Sequence, residues 1–271
     1  MSNVFNFNRL CALIRRQWIA VGKIYMMSIV IIAGIFIAFY GFGISMNYED
    51  LKTNPQVMAG VLSFRQPLFY FLGLFFITII SSSYFSDLGQ KTKAIFELMI
   101  PASRLEKFLS AVFYTVFVSI SAYILLFFLV DLAFVSYLKG FGTYTTTEIL
   151  PSGEEVTRVN LTYFFELKKW NFLHYFYFLP ILLNGIFLLG SIAYQNYQYI
   201  KTAISMIVYV AIWMITFVYV MKLTTDNTIG LENSNYFQDE VHVFQLFFGI
   251  GIILSLIFLG LAFLKLKEKE V

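Results

Sequence analysis

The segment MMSIVIIAGIFIAFYGFGISM, residues 26–46, decides the fold class of this chain because none of its 21 residues is charged. A helix of about 20 apolar residues has the length needed to cross the roughly 30 Å hydrocarbon core of a bilayer. Lipid offers no partner to backbone N–H and C=O groups, so such a segment must pair them within a helix. The sequence therefore predicts a membrane-spanning helix here.

The rest of the chain has the same apolar character. Of its 271 residues, 59% are hydrophobic and 13% are charged, whereas about a quarter of a soluble domain is charged. This composition excludes a disordered chain and an ordinary soluble globule. The apolar runs are continuous, which favours helices over alternating strands. We predict an all-α integral membrane protein with six spans, at residues 26–46, 67–85, 108–135, 172–194, 203–221 and 243–264.

The distribution of basic residues predicts the orientation of the spans. With six spans, 12 of the 19 Lys and Arg residues lie on the side of the N-terminus and seven on the other side. Cytoplasmic loops carry an excess of Lys and Arg. We therefore predict that both termini are cytoplasmic.

The N-terminal segment ahead of the first span has the pattern of an amphipathic helix. Arg9, Arg16 and Lys23 recur every seven residues and share one face, while Trp18 belongs to the apolar side. Such a helix is typical of the membrane surface. The alternative is a basic anchor that only sets the topology. Two domains are predicted: an interfacial helix, residues 1–25, and a six-helix membrane domain, residues 26–271.

The longest external loop, residues 136–171, contains a Thr-rich stretch and a Pro-Ser-Gly turn signal at residues 151–153. It is predicted to hold a hairpin or a short helix, and it is too small for a domain with its own core. The fourth span, which follows this loop, contains Pro180, and we expect a kink there.

The cytoplasmic loop 84–107 carries the most distinctive local pattern. Residues 94–100 are predicted to form a short helix that ends at Pro101, because the residue before a proline resists helical geometry. Ser103 then has the position of an N-cap, and Glu106 stands three residues later as its capping-box partner. The alternative is an interfacial loop that only seals the membrane surface.

Catalytic signatures are missing from the sequence. There is no GxxxxGK[ST] phosphate loop, no HExxH or Cys/His cluster and no GxSxG motif. Cys11 is the single cysteine, and His174 and His242 read as interfacial polar residues. A net charge of +3 does not favour nucleic acid as a partner. We predict a protein that is not an enzyme and that holds no cofactor or metal.

Asp131 is the one ionisable residue well inside a predicted span. Acidic residues within a membrane are candidates for function. Asp131 lies about one and a half turns from the outer end of its helix, so it is either a translocation-path residue or a side chain that reaches the interface.

These features together resemble the permeases of ABC-2 type transporters. The closest local match is LMIPASRLEK, residues 98–107, after the second span. The stretches YFSD (84–87), KTK (91–93), LGS (189–191) and KT (201–202) are similar to those of permease-like proteins of Bacteroidota. The layout covers essentially the whole chain, whereas the motif covers about ten residues.

The resemblance implies a non-enzymatic subunit of an ATP-driven exporter in the bacterial inner membrane. Its partners would be a separate ATPase, a second permease in a homo- or heterodimer, and membrane lipid. Such exporters move lipids, glycans, peptides or drugs, and nothing here selects among them. The implied coupling loop comprises Glu97, Leu98, Met99, Pro101, Ser103, Arg104, Glu106 and Lys107, and the interfacial-helix residues Arg9, Arg16, Trp18 and Lys23 lie near that contact.

Two departures from the family pattern keep another function open. The loop 195–202 is short and weakly charged, and the external loop 136–171 is longer than a minimal permease needs. The alternative function is a membrane scaffold or anchor that binds other proteins through loop 136–171. An intramembrane enzyme is disfavoured because no catalytic constellation is present.

Overall fold

The structure, a computed structural model, describes residues 5–53, 61–89, 95, 99–141, 145–149, 155–159, 161–166, 173–225 and 240–269. Within these residues, six helical segments are long and apolar enough to cross a membrane. The predicted number of spans is confirmed, and the architecture is that of a multi-pass membrane protein. The segments are Phe7–Met46, Arg65–Tyr84, Arg104–Lys139, His174–Ala193, Gln198–Thr216 and Val241–Lys269.

The described helices are numbered along the chain. They are α1 (Phe7–Met46), α2 (Tyr48–Thr53), α3 (Arg65–Tyr84), α4 (Arg104–Val112), α5 (Ser119–Lys139), α6 (Leu179–Ala193), α7 (Gln198–Thr225) and α8 (Glu240–Lys269). A π-helical segment, Phe113–Val118, joins α4 to α5, and 3-10 turns lie at Ser86–Gly89, Phe164–Glu166 and Leu173–Phe176.

The N-terminal segment is continuous with the first span. Helix α1 runs for 40 residues without a break at the predicted domain boundary after residue 25. At 1.5 Å per residue it is about 60 Å long, roughly twice the thickness of the hydrocarbon core. The predicted boundary after residue 25 therefore lies inside one long helix. Its location on the membrane surface stays a prediction.

The expected kink at Pro180 is wrong. Pro180 occupies the first turn of α6, where its missing N–H breaks no intrahelical hydrogen bond. The fourth span instead begins with the 3-10 turn Leu173–Phe176 and continues as α6.

The chain divides into two compact units. Unit A comprises Met1–Gly22, Ile77–Val118 and Trp170–Val271, and unit B comprises Lys23–Phe76 and Ser119–Lys169. In unit A, α6 contacts α7, α8, the turn Ser86–Gly89 and the π segment. Leu188 and Ile192 of α6 are fully buried. Asn184 donates a hydrogen bond through its amide nitrogen to Ser81 Oγ at 2.7 Å, which joins α6 to α3.

Unit B has an aromatic core. The ring of Phe127 on α5 lies 5.1 Å from Phe36 on α1 and 4.6 Å from Phe69 on α3, measured between centroids. Tyr123 donates its hydroxyl proton to the carbonyl of Phe69 at 2.6 Å. Its ring occupies the space that a side chain at Gly73 would need, so glycine is required there for α3 and α5 to pack closely.

Unit B also contains a β-hairpin in the predicted external loop. Strand β1 (Thr145–Ile149) pairs antiparallel with β2 (Glu155–Val159), with Thr145 opposite Val159. Of the two forms predicted for this loop, the hairpin is the one adopted.

Candidate functional site

The end of the predicted coupling loop is fixed by a capping box in unit A. Ser103 is the N-cap of α4 and accepts a hydrogen bond from the Glu106 N–H at 3.2 Å. In return, Glu106 Oε2 accepts the Ser103 N–H at 2.7 Å. The predicted capping box is confirmed, and it pairs two N–H groups that the first turn of a helix otherwise leaves without partners.

Glu106 also accepts hydrogen bonds from residues at the start of α1. Its Oε1 atom accepts the Asn6 N–H at 2.7 Å and the Arg9 guanidinium at 3.0 Å. The Glu106 side chain is fully buried, and that of Arg9 is 33% exposed. A buried carboxylate is stable only where hydrogen bonds and a counter-charge offset its loss of hydration. Here three groups donate to Glu106, and one of them is the charged Arg9 guanidinium. We call this group the Glu106 clamp, formed by Asn6, Arg9, Ser103 and Glu106.

A second set of contacts lies one to two helical turns further along the same two elements. Tyr114, in the π segment, donates its hydroxyl proton to the carbonyl of Ile14 at 2.7 Å. Its ring stacks on Trp18 at 6.3 Å between centroids. Tyr84 at the end of α3 shares a 2.7 Å hydrogen bond with Ser110 of α4. The start of α1 is thus held to the segment 104–118 at several points.

The predicted coupling residues separate into buried and exposed groups. Ser103, Glu106 and Lys107 are buried, so their side chains hold the segment together from within. Met99 is 69% exposed, Pro101 is exposed and Arg104 is partly exposed. Glu97 and Leu98 lie outside the described residues.

The predicted interfacial-helix residues show a related division. Arg9 belongs to the Glu106 clamp, whereas Arg16 and Lys23 are exposed and Trp18 is 46% exposed. The buried stripe of this part of α1 consists of Leu13, Gln17 and Val21, one turn apart. Gln17 is the polar member of this stripe.

Asp131 is buried in unit B, with only 2% of its side chain exposed. Its Oδ1 atom accepts a hydrogen bond from the Tyr40 hydroxyl at 2.7 Å and pairs with Arg65 Nη1 at 3.1 Å. Its Oδ2 atom accepts the Phe164 N–H at 2.8 Å. The Asp131 side chain therefore faces protein groups and does not extend to the membrane–water interface.

Arg65 completes this cluster. Its guanidinium donates to the carbonyls of Thr162 at 3.1 Å and Leu62 at 3.2 Å, and its side chain is 6% exposed. A buried ion pair is tolerated when such additional hydrogen bonds satisfy both partners. The cluster joins α1, α3 and α5 to the chain segment that follows the hairpin.

Sequence reasoning missed two members of this cluster. Arg65 was assigned to an external loop, although it is the first residue of α3 and is buried. The one available signal was its position directly before an apolar run, where a basic residue can pair with a membrane-embedded acid. Nothing in the sequence distinguishes Tyr40 as a partner of Asp131, because tyrosine is common throughout the spans.

The two clusters provide hydrogen bonds and ion pairs that hold backbone segments in place. Among the residues that the structure describes, no group of three or more His, Cys, Asp or Glu side chains is arranged to hold a metal ion. In comparisons with known proteins, no protein-family model, no curated protein and no solved structure matches this chain.

Proposed function

We propose that this chain is the transmembrane permease subunit of an ATP-driven ABC-type exporter in the cytoplasmic membrane of a bacterium. In this proposal ATP is hydrolysed by a separate subunit that binds the cytoplasmic loop 84–107, and the chain itself is not an enzyme. Two permeases, identical or different, form the complete exporter. The observation that supports the proposal most directly is the Glu106 clamp, which ties the end of this loop to the N-terminal helix.

The physical argument concerns stiffness. A partner that changes shape during hydrolysis can move membrane helices only if its contact surface is linked to them by elements that resist bending. Residues 99–103 lead directly into α4. The Glu106 clamp adds four hydrogen bonds among Asn6, Arg9, Ser103 and Glu106. Because Ser103 and Glu106 are buried, the interactions of this carboxylate are screened less by solvent than those of a surface pair. A displacement at the loop would therefore reach α1 and α4 together.

In this proposal, the exposed residues next to the Glu106 clamp form the surface that contacts the ATPase subunit. Ile95 is 59% exposed and Met99 is 69% exposed, and Pro101 is exposed beside them. A few side chains that become buried at the centre of an interface contribute most of its binding energy. In the predicted orientation these side chains face the cytoplasm, where an ATPase subunit would lie.

A pull-down from native membranes in mild detergent tests the proposal. The intact chain is expected to co-purify with an ATPase, detected by ATP hydrolysis in the eluate and by identification of the bound polypeptide. Met99→Asp places a charge in the apolar contact, and we expect at least a tenfold loss of the bound ATPase, or about 1.4 kcal/mol.

The matched control is Tyr197→Asp, in the turn between α6 and α7. Tyr197 is 77% exposed and has a positive φ of 53° that aspartate accepts readily. This variant introduces the same charge on the other predicted cytoplasmic loop and should retain the ATPase. If no ATPase accompanies the intact chain, the exporter proposal fails. If Met99→Asp retains it in full, the contact lies elsewhere.

The hairpin supports a second candidate, a membrane scaffold that binds partners through the external loop 136–171. Arg65 donates a hydrogen bond to Thr162, and Phe164 donates one to Asp131. These bonds fix the chain shortly after β2 and so hold one end of the hairpin in place. In this case the same pull-down yields a partner without ATPase activity, and cleavage within loop 136–171 releases it.

A further inference from the structure

Unit A contains a polar contact that is buried between two spans. Asn184 of α6 and Ser81 of α3 are both fully buried, and both lie within segments that are apolar enough to cross a membrane. The Asn184 amide nitrogen donates a hydrogen bond to Ser81 Oγ at 2.7 Å. A carboxamide also carries an acceptor oxygen, which this bond does not use.

The Ser81 hydroxyl fixes the orientation of the amide. Its single proton is donated to the Ile77 carbonyl at 2.7 Å, so Ser81 Oγ can only accept a hydrogen bond from Asn184. The amide therefore presents its nitrogen to Ser81. The Oδ1 atom of Asn184 has to find its donor elsewhere.

Asn184 Oδ1 is a buried acceptor that no protein group satisfies within the part of the chain that the structure describes. Such an atom gives up its hydration without a replacement, which costs free energy comparable to that of a lost hydrogen bond. Folded proteins satisfy nearly all buried polar atoms, and ordered water supplies some of the partners. A donor is therefore required at this oxygen.

The nearby hydroxyl groups are engaged within their own helices. Ser191, two turns further along α6, donates to the Leu188 carbonyl at 2.7 Å. Thr115 lies in the π segment, which contacts α6, and donates to the Ala111 carbonyl at 2.8 Å. The hydroxyl protons of both residues are thus used, as is that of Ser81. The oxygen atoms keep lone pairs, so this region offers acceptors and needs a donor.

The ligand at Asn184 Oδ1 has to be small and neutral. Asn184 and Ser81 are closed off from solvent, which excludes a large molecule. Their described hydrogen bonds are to each other and to a backbone carbonyl, so these contacts provide no counter-charge. A cation would be buried there without a partner of opposite sign, at a high cost in free energy. Water is neutral and has two protons to donate.

We propose that a buried water molecule binds at this point and bridges α3 and α6. It donates one proton to Asn184 Oδ1 and the other to the remaining lone pair of Ser81 Oγ, which gives it the two partners that a buried water needs. Water-mediated hydrogen bonds are nearly as favourable as direct ones, so the bridge strengthens the link between the two spans. Ser81 lies three residues before the end of α3 at Tyr84, about one turn from loop 84–107. The proposal goes beyond the exporter function and does not depend on it.

A structure of the full chain in detergent, at a resolution that shows ordered water, tests the site. We expect a density peak about 2.7–3.2 Å from Asn184 Oδ1 and within hydrogen-bonding distance of Ser81 Oγ. Asn184→Leu replaces the amide with an apolar group of similar size. The peak should be at least fivefold weaker in this variant.

The matched control is Ser255→Ala, which removes a buried hydroxyl from α8. Ser255 donates to the Gly251 carbonyl at 2.7 Å, so its hydroxyl has a partner in its own helix, as that of Ser81 does. This variant should retain the peak at Asn184. If Asn184→Leu fails to fold, Ser81→Ala takes its place, because it removes one of the two partners and should weaken the peak at least twofold.

A salt series distinguishes water from a cation. The melting temperatures of the unaltered chain and of the altered chain are measured in sodium, potassium and choline chloride at equal concentration. For a water molecule, the difference between the two chains should be the same in all three salts. Stabilisation of the unaltered chain by Na⁺ or K⁺ that is lost in the altered chain would overturn the proposal, because Oδ1 would then bind the ion. A map without a peak at Oδ1, a protein donor in its place, or an equal peak in Asn184→Leu would also overturn it.

Discussion

Asp131 and Arg65 show how a charge pair can persist inside an apolar chain. Removal of two charges from water costs several kcal/mol for each ion, and their mutual attraction alone seldom repays this cost. Here Tyr40 and the Phe164 N–H donate to the carboxylate, and two carbonyls accept from the guanidinium. The pair is stable because each partner is hydrogen-bonded as well as neutralised.

Asp131→Ala should therefore be strongly destabilising, because it leaves the Arg65 guanidinium buried without a counter-charge. Breaking a buried pair in this way costs about 3–5 kcal/mol. The measurement is the melting temperature of the purified chain in detergent. The double variant Asp131→Leu/Arg65→Met removes both charges and should recover most of the loss.

The matched control for Asp131→Ala is Glu268→Ala, which removes the exposed ion pair with Lys265 on α8. Exposed pairs contribute about 0–1 kcal/mol, so this variant should melt close to the unaltered chain. If Asp131→Ala were as mild as Glu268→Ala, the buried cluster described here would not exist in the folded protein.

At the scale of residues, the sequence predicted what depends on local spacing and missed what depends on the tertiary fold. Ser103 and Glu106 are three residues apart, and a capping box is a property of one helical turn, so the pattern was sufficient. Asp131 and Arg65 are 66 residues apart. No periodicity connects them, and the predicted span 67–85 leaves Arg65 in a loop because hydropathy delimits an apolar run without regard to the burial of its neighbours.

At the scale of elements, hydropathy located each span but not its interior geometry. The third span was predicted as one helix, and it contains the π segment Phe113–Val118 between α4 and α5. A π segment arises where one extra residue is accommodated in an α-helix, often at a functional site, and it leaves the apolar pattern almost unchanged. The buried Thr115 hydroxyl donates to the Ala111 carbonyl within this region.

The contact between α6 and α7 gives a prediction for a whole element. Gly190 of α6 lies directly against Thr202 of α7, and a methyl group at Gly190 would overlap the Thr202 side chain. Thr202 is buried and its hydroxyl is bonded to the Gln198 carbonyl at 2.7 Å, so it has little freedom to move. Gly190→Ala should therefore cost about 1–3 kcal/mol by overpacking.

Gly260→Ala is the control for this overpacking, because Gly260 lies within α8 and has no atom within 4 Å of a built side chain. Gly260→Ala should leave the free energy of unfolding unchanged, or raise it by up to about 1 kcal/mol because alanine has a higher helix propensity than glycine. Thermal melting of both variants in the same detergent provides the comparison. A melting temperature for Gly190→Ala equal to that of Gly260→Ala would show that α6 and α7 are not in close contact there.

At the scale of the molecule, the number of spans follows from the bilayer itself. A membrane imposes one length and one polarity on every crossing segment, so six apolar runs were enough to predict six spanning helices. The division into units A and B has a counterpart in the sequence only near Gly22, close to the predicted boundary after residue 25. It separates residues within single helices, at Gly22 in α1 and at Phe76 in α3, and such boundaries depend on contacts between distant segments.

The orientation in the membrane is a prediction for the whole molecule, and the exporter proposal depends on it. Cys11 is the single cysteine and is exposed, so a membrane-impermeant maleimide should label it only after the cells are permeabilised. In a Cys11→Ser background, Lys222→Cys should be labelled in intact cells, and Lys267→Cys only after permeabilisation. Both lysines are exposed, so accessibility reports the side of the membrane. The reverse pattern would place loop 84–107 outside the cell, beyond the reach of a cytoplasmic ATPase.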